Sequence, residues 1–236
     1  MSAEQAQSFQ RVAEAYERGR PGWPPELLDV VPVADDATVL DLAAGTGKLT
    51  RVLAARYARV IAVEPLAELR AILAERVPLA EALPGVAEAI PLDGAAVDAV
   101  FTGQAFHWFA NDVAVAEIAR VLRPGGVFAR FWNEAAEPNP LPPAYRKRLE
   151  ELYEAMPPPD VDDYVFDGTP FGQVHEGFVE HEQVSNRGEV LAFAASVSWI
   201  ANREDRDEAL AELASLLPEG EYPFVIHANY EWAHRT

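Results

Sequence analysis

The side chains best suited to chemistry in this sequence are acids that stand where short apolar runs end. Val39-Leu40-Asp41-Leu42 runs into Ala43-Ala44-Gly45-Thr46-Gly47-Lys48-Leu49-Thr50, and Val60-Ile61-Ala62-Val63 runs into Glu64-Pro65. A carboxylate at the end of a buried strand can accept a pair of hydroxyls. Glycines beside it let backbone N–H groups approach a ligand with negative or acceptor groups. Further along, Gly85-Val86-Ala87-Glu88-Ala89-Ile90-Pro91 brings another acid, and Gly103-Gln104-Ala105-Phe106-His107-Trp108-Phe109 brings an amide, an imidazole and aromatic faces. Of the 5 histidines, His107 is the one placed at a predicted strand end. Its ordinary pKa of about 6.5 would suit a general base, and the same ring would serve as a pocket wall or hydrogen-bond its loop. His175, His181, His227 and His234 scatter through the C-terminal third, and no His/acid spacing resembles a metal set. With no cysteine either, no metal site is expected.

The first apolar run, the glycine turn, and Leu49, Val52 and Leu53 at helical spacing read as a strand, a loop and a helix N-terminus. This unit alone does not choose a ligand. A dinucleotide fingerprint needs a third glycine where Thr50 stands; a P-loop needs a first glycine where Leu42 stands and a hydroxyl residue where Leu49 stands. Around the unit, the spacing predicts helices over Phe9–Arg18, Pro25–Val31, Leu49–Ala58 and Leu66–Arg76. Leu79–Leu83 reads as a short third strand and Val97–Thr102 as a fourth. Strands alternating with helices imply a parallel sheet in a doubly wound α/β core, with ligands at the carboxyl ends of the strands. Asp41, Glu64, Glu88 and Gln104 are expected at or just after such ends.

Taken together, these segments resemble the class I S-adenosylmethionine (SAM) dependent methyltransferases, most closely the type 11 group that includes trans-aconitate-type enzymes. Asp41, Gly45 and Gly47 match the acid-x-Gly-x-Gly-x-Gly loop of that family, with Ala43 in place of the first glycine. Alanine there is strained if the position requires a positive φ. The remaining segments follow in the family's order, ending with Glu117-Ile118-Ala119-Arg120-Val121-Leu122-Arg123-Pro124-Gly125-Gly126 before a fifth strand. The resemblance covers roughly residues 8 to 133. It implies a Rossmann-like, doubly wound seven-stranded α/β sheet with an N-terminal lid helix and a C-terminal helical insertion. It also implies SAM as cofactor, S-adenosylhomocysteine as product, and methyl transfer to a small-molecule acceptor. Glu64, beside Pro65, would take both ribose hydroxyls; Ala87 and Glu88 would lie beside the adenine; Gln104, Ala105 and His107 would complete the cofactor site. Tyr16 and Arg20 would sit over the cofactor, Arg20 pairing with the methionine carboxylate.

For the acceptor, Trp23, Trp108, Trp132 and Asn133 are candidate pocket residues. Aromatic faces there would line an apolar pocket or hold a cation, with core packing the alternative for each ring and the preferred one for Trp199. The Asp/Asn-Pro-Pro-aromatic signature of nitrogen methylation is absent, since Gly103-Gln104-Ala105-Phe106 stands in its place. An oxygen, carboxylate, amine or carbon nucleophile is expected.

Residues 1–236 read as a single methyltransferase domain. Within it, 8–133 is the SAM-binding core with its lid, 134–177 an insertion shaping the pocket, and 178–236 the last strands and helices. Prolines 138, 140, 142 and 143 break the chain before a helix over Tyr145–Ala155. A sixth strand near Phe178–Val184, helices over Glu189–Val197 and Arg206–Leu217, and a final strand Phe224–Trp232 follow. The net charge of −19, from 38 acids against 19 bases, opposes binding to phosphate backbones, so no nucleic acid is expected. No apolar run reaches the ~20 residues that span a bilayer and no leader pattern opens the chain, so a cytoplasmic protein without membrane partners is expected. Two other readings remain open at this level: a SAM-binding scaffold that has lost catalysis, and an NAD(P)-dependent oxidoreductase on the same fold.

Overall fold

A parallel strand covered on both faces must be apolar on both faces. Thr38–Leu42, Arg59–Val63 and Val97–Gly103 meet that demand: nearly every residue in them is buried. In the computed structural model, which describes residues 15, 17–155 and 170–236, these runs become strands of one seven-stranded sheet. The strands are β1 (Thr38–Leu42), β2 (Arg59–Val63), β3 (Glu81–Leu83), β4 (Val97–Gly103), β5 (Leu122–Ala135), β6 (His175–Asn186) and β7 (Glu221–His234). Their order is β3-β2-β1-β4-β5-β7-β6, and the pairings from β3 through β5 are parallel. β7 runs antiparallel to β5: Arg235 N–H donates to Gly126 O, while Arg130, later in β5, meets Glu231, earlier in β7. The rings of β6 and β7 pair in the same descending order, His175 with Trp232 and Phe178 with His227.

The helices are α1 (Lys48–Arg56), α2 (Ala67–Arg76), α3 (Asp112–Val121), α4 (Pro143–Ala155), α5 (Arg187–Ser196), α6 (Ser198–Ala201) and α7 (Arg206–Leu216). Contacts divide the chain into two compact units. Among the described residues, one holds 22–134, 170–180 and 227–236, and the other 15, 17–21, 135–155 and 181–226.

In the first unit the side-chain alternation of the strands is visible as two separate cores. Leu40, Leu42, Ile61, Val63, Val100 and Phe128 point to one face, where Val115, Ile118 and Ala119 of α3 cover them. Val39, Val60, Ala99, Phe101, Val127 and Phe131 point to the other, against Leu49 and Leu53 of α1 and Trp23, Leu27 and Leu28. Neighbours of opposite parity on one strand therefore pack against different helices. The expected Gly125-Gly126 turn is an excursion inside β5: Leu122 pairs with Val97 and Val127 with Ala99, so residues 123–126 loop out, with Gly125 at φ 74°.

In the second unit, one cluster joins Tyr145 and Leu152 of α4, Val190 and Ala194 of α5, Ile200 of α6, and Ala209 and Leu213 of α7. Asn186 and Glu189 form a capping box at the start of α5. The Arg187 guanidinium donates to Ala214 O and Leu217 O, carbonyls at the end of α7. Residues 17–19 are helical, and Gly19 lies so close to α5 that a Cβ on it would stand 2.0 Å from Phe193 N.

The predicted elements are all present where the structure describes them, with shifted ends. The short helix from Pro25 is a 3-10 turn ending at Leu28, α4 begins two residues before Tyr145, and β6 and β7 extend beyond both predicted limits. Most of the Phe9–Arg18 helix, including Tyr16, lies outside the described residues. Among the described residues no helix is long and apolar enough to cross a membrane.

Phe101 is fully buried between Tyr57 at 5.7 Å and Phe131 at 5.8 Å. Phe101→Ala is expected to lower the unfolding free energy by about 3–5 kcal/mol through lost transfer energy and the cavity left behind, measured by urea denaturation.

Candidate functional site

The loop after β1 is shaped by backbone angles that side chains ordinarily avoid. Ala43 (φ 59°), Gly45 (φ 57°) and Gly47 (φ 87°) all take the left-handed conformation within five residues, and Gly47 is the N-cap of α1. The strain foreseen for an alanine at the first glycine position is therefore real, at roughly 1–2 kcal/mol for an L-residue. The turn is closed by Ala44 N–H donating to Val63 O and Gly47 N–H donating to Ala44 O. A Cβ built on Gly45 meets nothing within 4 Å, so the loop borders open space there.

Asp41 sits one residue before the end of β1 and is 1% exposed. Thr50 of α1, also fully buried, donates its hydroxyl to Asp41 Oδ2 at 2.6 Å. Asp41 Oδ1 is buried without a hydrogen-bond partner. Burial pushes the Asp41 carboxyl up to about 7; the Thr50 hydrogen bond opposes the rise and the neighbouring charge of Glu64 adds to it. The residue that spoils the dinucleotide fingerprint is thus the partner of the motif's own acid.

Glu64 follows directly on β2 and is 5% exposed. Its two oxygens accept from two different backbone segments: Oε2 from Gly45 N–H at 2.9 Å, Oε1 from Leu66 N–H at 3.0 Å. The carboxylate is therefore held across the mouth of the glycine loop. Each oxygen keeps a second lone pair for a further donor. Arg70 of α2 supports the segment from outside by donating to Glu64 O and Pro65 O.

The 85–92 loop is held by α3. Glu117 accepts from Ile90 N–H, and the Arg120 guanidinium donates to Ile90 O, Leu92 O and Glu117. This clamp buries Ala87 to 6% exposure and leaves Glu88 exposed, where Asn111 Nδ2 donates to it at 3.0 Å. Glu88 lies in this loop, five residues past the end of β3 at Leu83.

At the end of β4, Gln104 is itself left-handed, at φ 56°. Its backbone N–H donates to Phe131 O and its Nε2 to Asn133 O, while Asn133 Nδ2 donates to Gly22 O. Gly103 is required beside Trp23, since a Cβ on it would stand 2.9 Å from that indole. Beyond Gln104, Ala105 is buried, the His107 ring lies 4.9 Å from that of Trp108, and Trp108 is 62% exposed.

The structure thus gathers Asp41, Ala43, Gly45, Gly47, Glu64, Pro65, Ala87, Glu88, Gln104, Ala105 and His107 in a single unit. Trp108, Trp132 and Asn133 belong to the same unit, and Trp23 packs in its core against Phe131 at 9% exposure. Arg20 belongs to the other unit, where Nε donates to Ser196 Oγ at 3.0 Å and the guanidinium lies over Phe193. Sequence reasoning missed three features: the Thr50–Asp41 bond, the Glu117–Arg120 clamp, and the Arg130–Glu231 ion pair, whose guanidinium lies 5.1 Å from the Phe106 ring centroid. Only the last had a usable signal, an arginine in an otherwise apolar strand.

An acid in β1, a glycine loop into α1, an acid after β2 and a sheet of this order make up the class I methyltransferase fold. A methyltransferase-domain family model matches residues 40–129. An uncharacterized methyltransferase of Mycobacterium tuberculosis is 49% identical over 130 residues, 55% of this chain and 54% of the relative. The chain therefore spans about half the length of such curated relatives. An uncharacterized methyltransferase of Geobacillus kaustophilus is 33% identical over 159 residues, 61% of this chain and 71% of the relative. A solved structure from Anaeromyxobacter dehalogenans, assigned provisionally as a type II methyltransferase, superposes with a TM-score of 0.69 at 26% identity, covering 91% of this chain and 97% of its own. The chain belongs to the methyltransferase family.

Two outcomes follow from the loop. Ala43→Gly is expected to raise the unfolding free energy by about 0.5–1 kcal/mol, the relief of left-handed strain less the added freedom of glycine in the unfolded chain. Urea denaturation reads it. Asp41 ionises at its ordinary 3.8 in the unfolded chain and near 7 in the folded one. The folded state therefore holds the proton more tightly, and Asp41 costs stability progressively as pH rises from about 4 to 7, with no further change above. Asp41→Asn should remove that decline, so the difference in unfolding free energy between variant and wild type should grow across this window and then level.

Proposed function

We propose that this chain transfers the methyl group of SAM to a small-molecule acceptor. The observation that carries the reading is Glu64: a nearly buried carboxylate fixed by two backbone N–H groups, with lone pairs to spare, at the mouth of a left-handed glycine loop. Such a group suits a pair of vicinal hydroxyls, as on a ribose. The open space beside Gly45 suits the nucleoside and amino-acid portions next to it. Ala87 and Glu88 would lie beside the adenine, and Gln104, Ala105 and His107 would complete the cofactor's surroundings.

SAM supplies a methyl group already activated by the sulfonium. What remains for the protein is to hold nucleophile, methyl and sulfur in line and to keep water out. A base is needed only where the acceptor must lose a proton as it attacks, and His107 would serve as that base. Exposed Trp108, with Trp132 and Asn133, would form the acceptor side. The net charge of −19 weighs against a nucleic-acid acceptor and for a small one.

Isothermal titration with S-adenosylhomocysteine tests this, with NADH as control. One-to-one binding of the first alone is expected. Glu64→Ala should weaken it by tenfold or more, because charge-assisted hydrogen bonds of about 1.5–3 kcal/mol are lost, and Glu64→Gln should weaken it less. Unchanged affinity in both variants would remove the basis for the assignment.

A further inference from the structure

We propose that Arg130 is a positioning residue for the turn that carries His107 and Trp108. It holds that turn through the ring of Phe106, so that cofactor affinity depends on a guanidinium acting at one remove. The claim on affinity rests on the reading of this site as a SAM site.

An arginine has no ordinary place at this point of the sheet. Arg130 stands in β5 between Ala129 and Phe131, both buried, and its register partner on β4 is Thr102, 1% exposed. On the other side β7 supplies Glu231. The Arg130 Nε–H donates to Glu231 Oε2 at 2.7 Å, and Nη2 lies 2.5 Å from the same oxygen, with the two side chains 18% and 17% exposed. Burying two charges costs desolvation that their attraction repays only in part, and an apolar pair of similar volume is often as stable or more so. Stability therefore does not account for the pair. What the pair fixes is the direction of the guanidinium, which lies over the Phe106 ring at 5.1 Å and over the Trp132 ring at 5.9 Å. Both distances are within reach of a cation–π contact.

Phe106 is the residue by which the turn is fastened. The 3-10 turn Phe106–Trp108 has no side-chain cap and is closed by Trp108 N–H donating to Ala105 O and Phe109 N–H donating to Phe106 O. So short a turn has poor hydrogen-bond geometry and little hold of its own. Its buried residue is Phe106, 5% exposed, whose ring meets Phe128 at 5.4 Å and Phe109 at 5.6 Å besides Arg130. Apolar faces tolerate a shifted ring, whereas a guanidinium pinned by Glu231 favours one placement. Ala105 and His107 flank Phe106 and Trp108 follows, so a displaced Phe106 carries with it the residues proposed beside the cofactor and the acceptor. Lysine is no substitute: an ammonium keeps a charge opposite Glu231 but lacks the planar group that lies over two rings.

The test compares the full chain with Arg130→Lys and Arg130→Met, each labelled with 5-fluorotryptophan, the lines of Trp108 and Trp199 being assigned with Trp108→Phe and Trp199→Phe. Fluorine NMR of the ligand-free proteins, urea denaturation and isothermal titration with S-adenosylhomocysteine are read together. In both variants the Trp108 line is expected to shift or broaden while that of Trp199, in the other unit, holds. Affinity for S-adenosylhomocysteine should fall about three- to tenfold, the size of a lost cation–π contact, with the urea midpoint of Arg130→Met at or above that of wild type. A Trp108 line that stays in place in both variants would overturn the proposal, as would binding of wild-type strength in both. So would a lowered urea midpoint together with a moved Trp199 line, the mark of a merely structural role. Failure of wild type to bind S-adenosylhomocysteine would remove the cofactor reading and the claim on affinity, while the Trp108 line would still uphold or overturn the positioning. Should Arg130→Met not fold, Arg130→Lys, which keeps a cation opposite Glu231, decides by the same outcomes.

Discussion

The arrangement depends on one carboxylate that serves two backbone segments at once. Glu64 accepts from Gly45 in the loop after β1 and from Leu66 at the start of α2. The β1 loop is thereby tied to β2 by a side chain as well as by the Ala44 to Val63 backbone bond. Without that acceptor, a loop with three left-handed residues would lose the partner of its Gly45 N–H. The same group that shapes the loop is the one proposed to meet the cofactor's ribose, so a variant at Glu64 would disturb the loop as well as the proposed contact.

The other edge of the site is built differently. Gln104 gives two hydrogen bonds to β5, one from its backbone and one from its amide, and adopts an unfavourable φ to do so. Ala43 and Gln104 are thus strained residues at the ends of neighbouring strands. Local strain of this kind persists only where surrounding contacts hold it. The surrounding contacts are the buried runs of β1 and β4 and the α3 clamp on the 85–92 loop.

Much of the first unit was legible in the residues because buried parallel strands and glycine turns leave strong marks. The apolar runs ending in Asp41 and Glu64 located β1 and β2, and Gly45 and Gly47 located the turn. Ends were less legible: β6 and β7 run past Phe178–Val184 and Phe224–Trp232 because polar and charged residues pair in a ladder as well as apolar ones do. The grouping of α4 with α5, α6 and α7 was not legible either. Which helices share a core depends on contacts between segments far apart in the chain, and a single helix's stripe does not name its partner. In the site, residue types announced Asp41 and Glu64, but not that Thr50 would bond to one while backbone N–H groups satisfied the other.

The two cores on either side of the sheet also make the site a matter of parity. Asp41 shares its face with Val39 and meets α1, while Leu40 and Leu42 face α3. A deletion of one residue early in β1 would turn every side chain of that strand over. A leucine would then sit where Thr50 now finds its acceptor, and the acid would enter a purely hydrocarbon layer among Phe106, Ile118 and Phe128. The length of the connection from Leu28 to Thr38 is therefore under chemical as well as structural constraint: counting residues there is counting which way the acid looks.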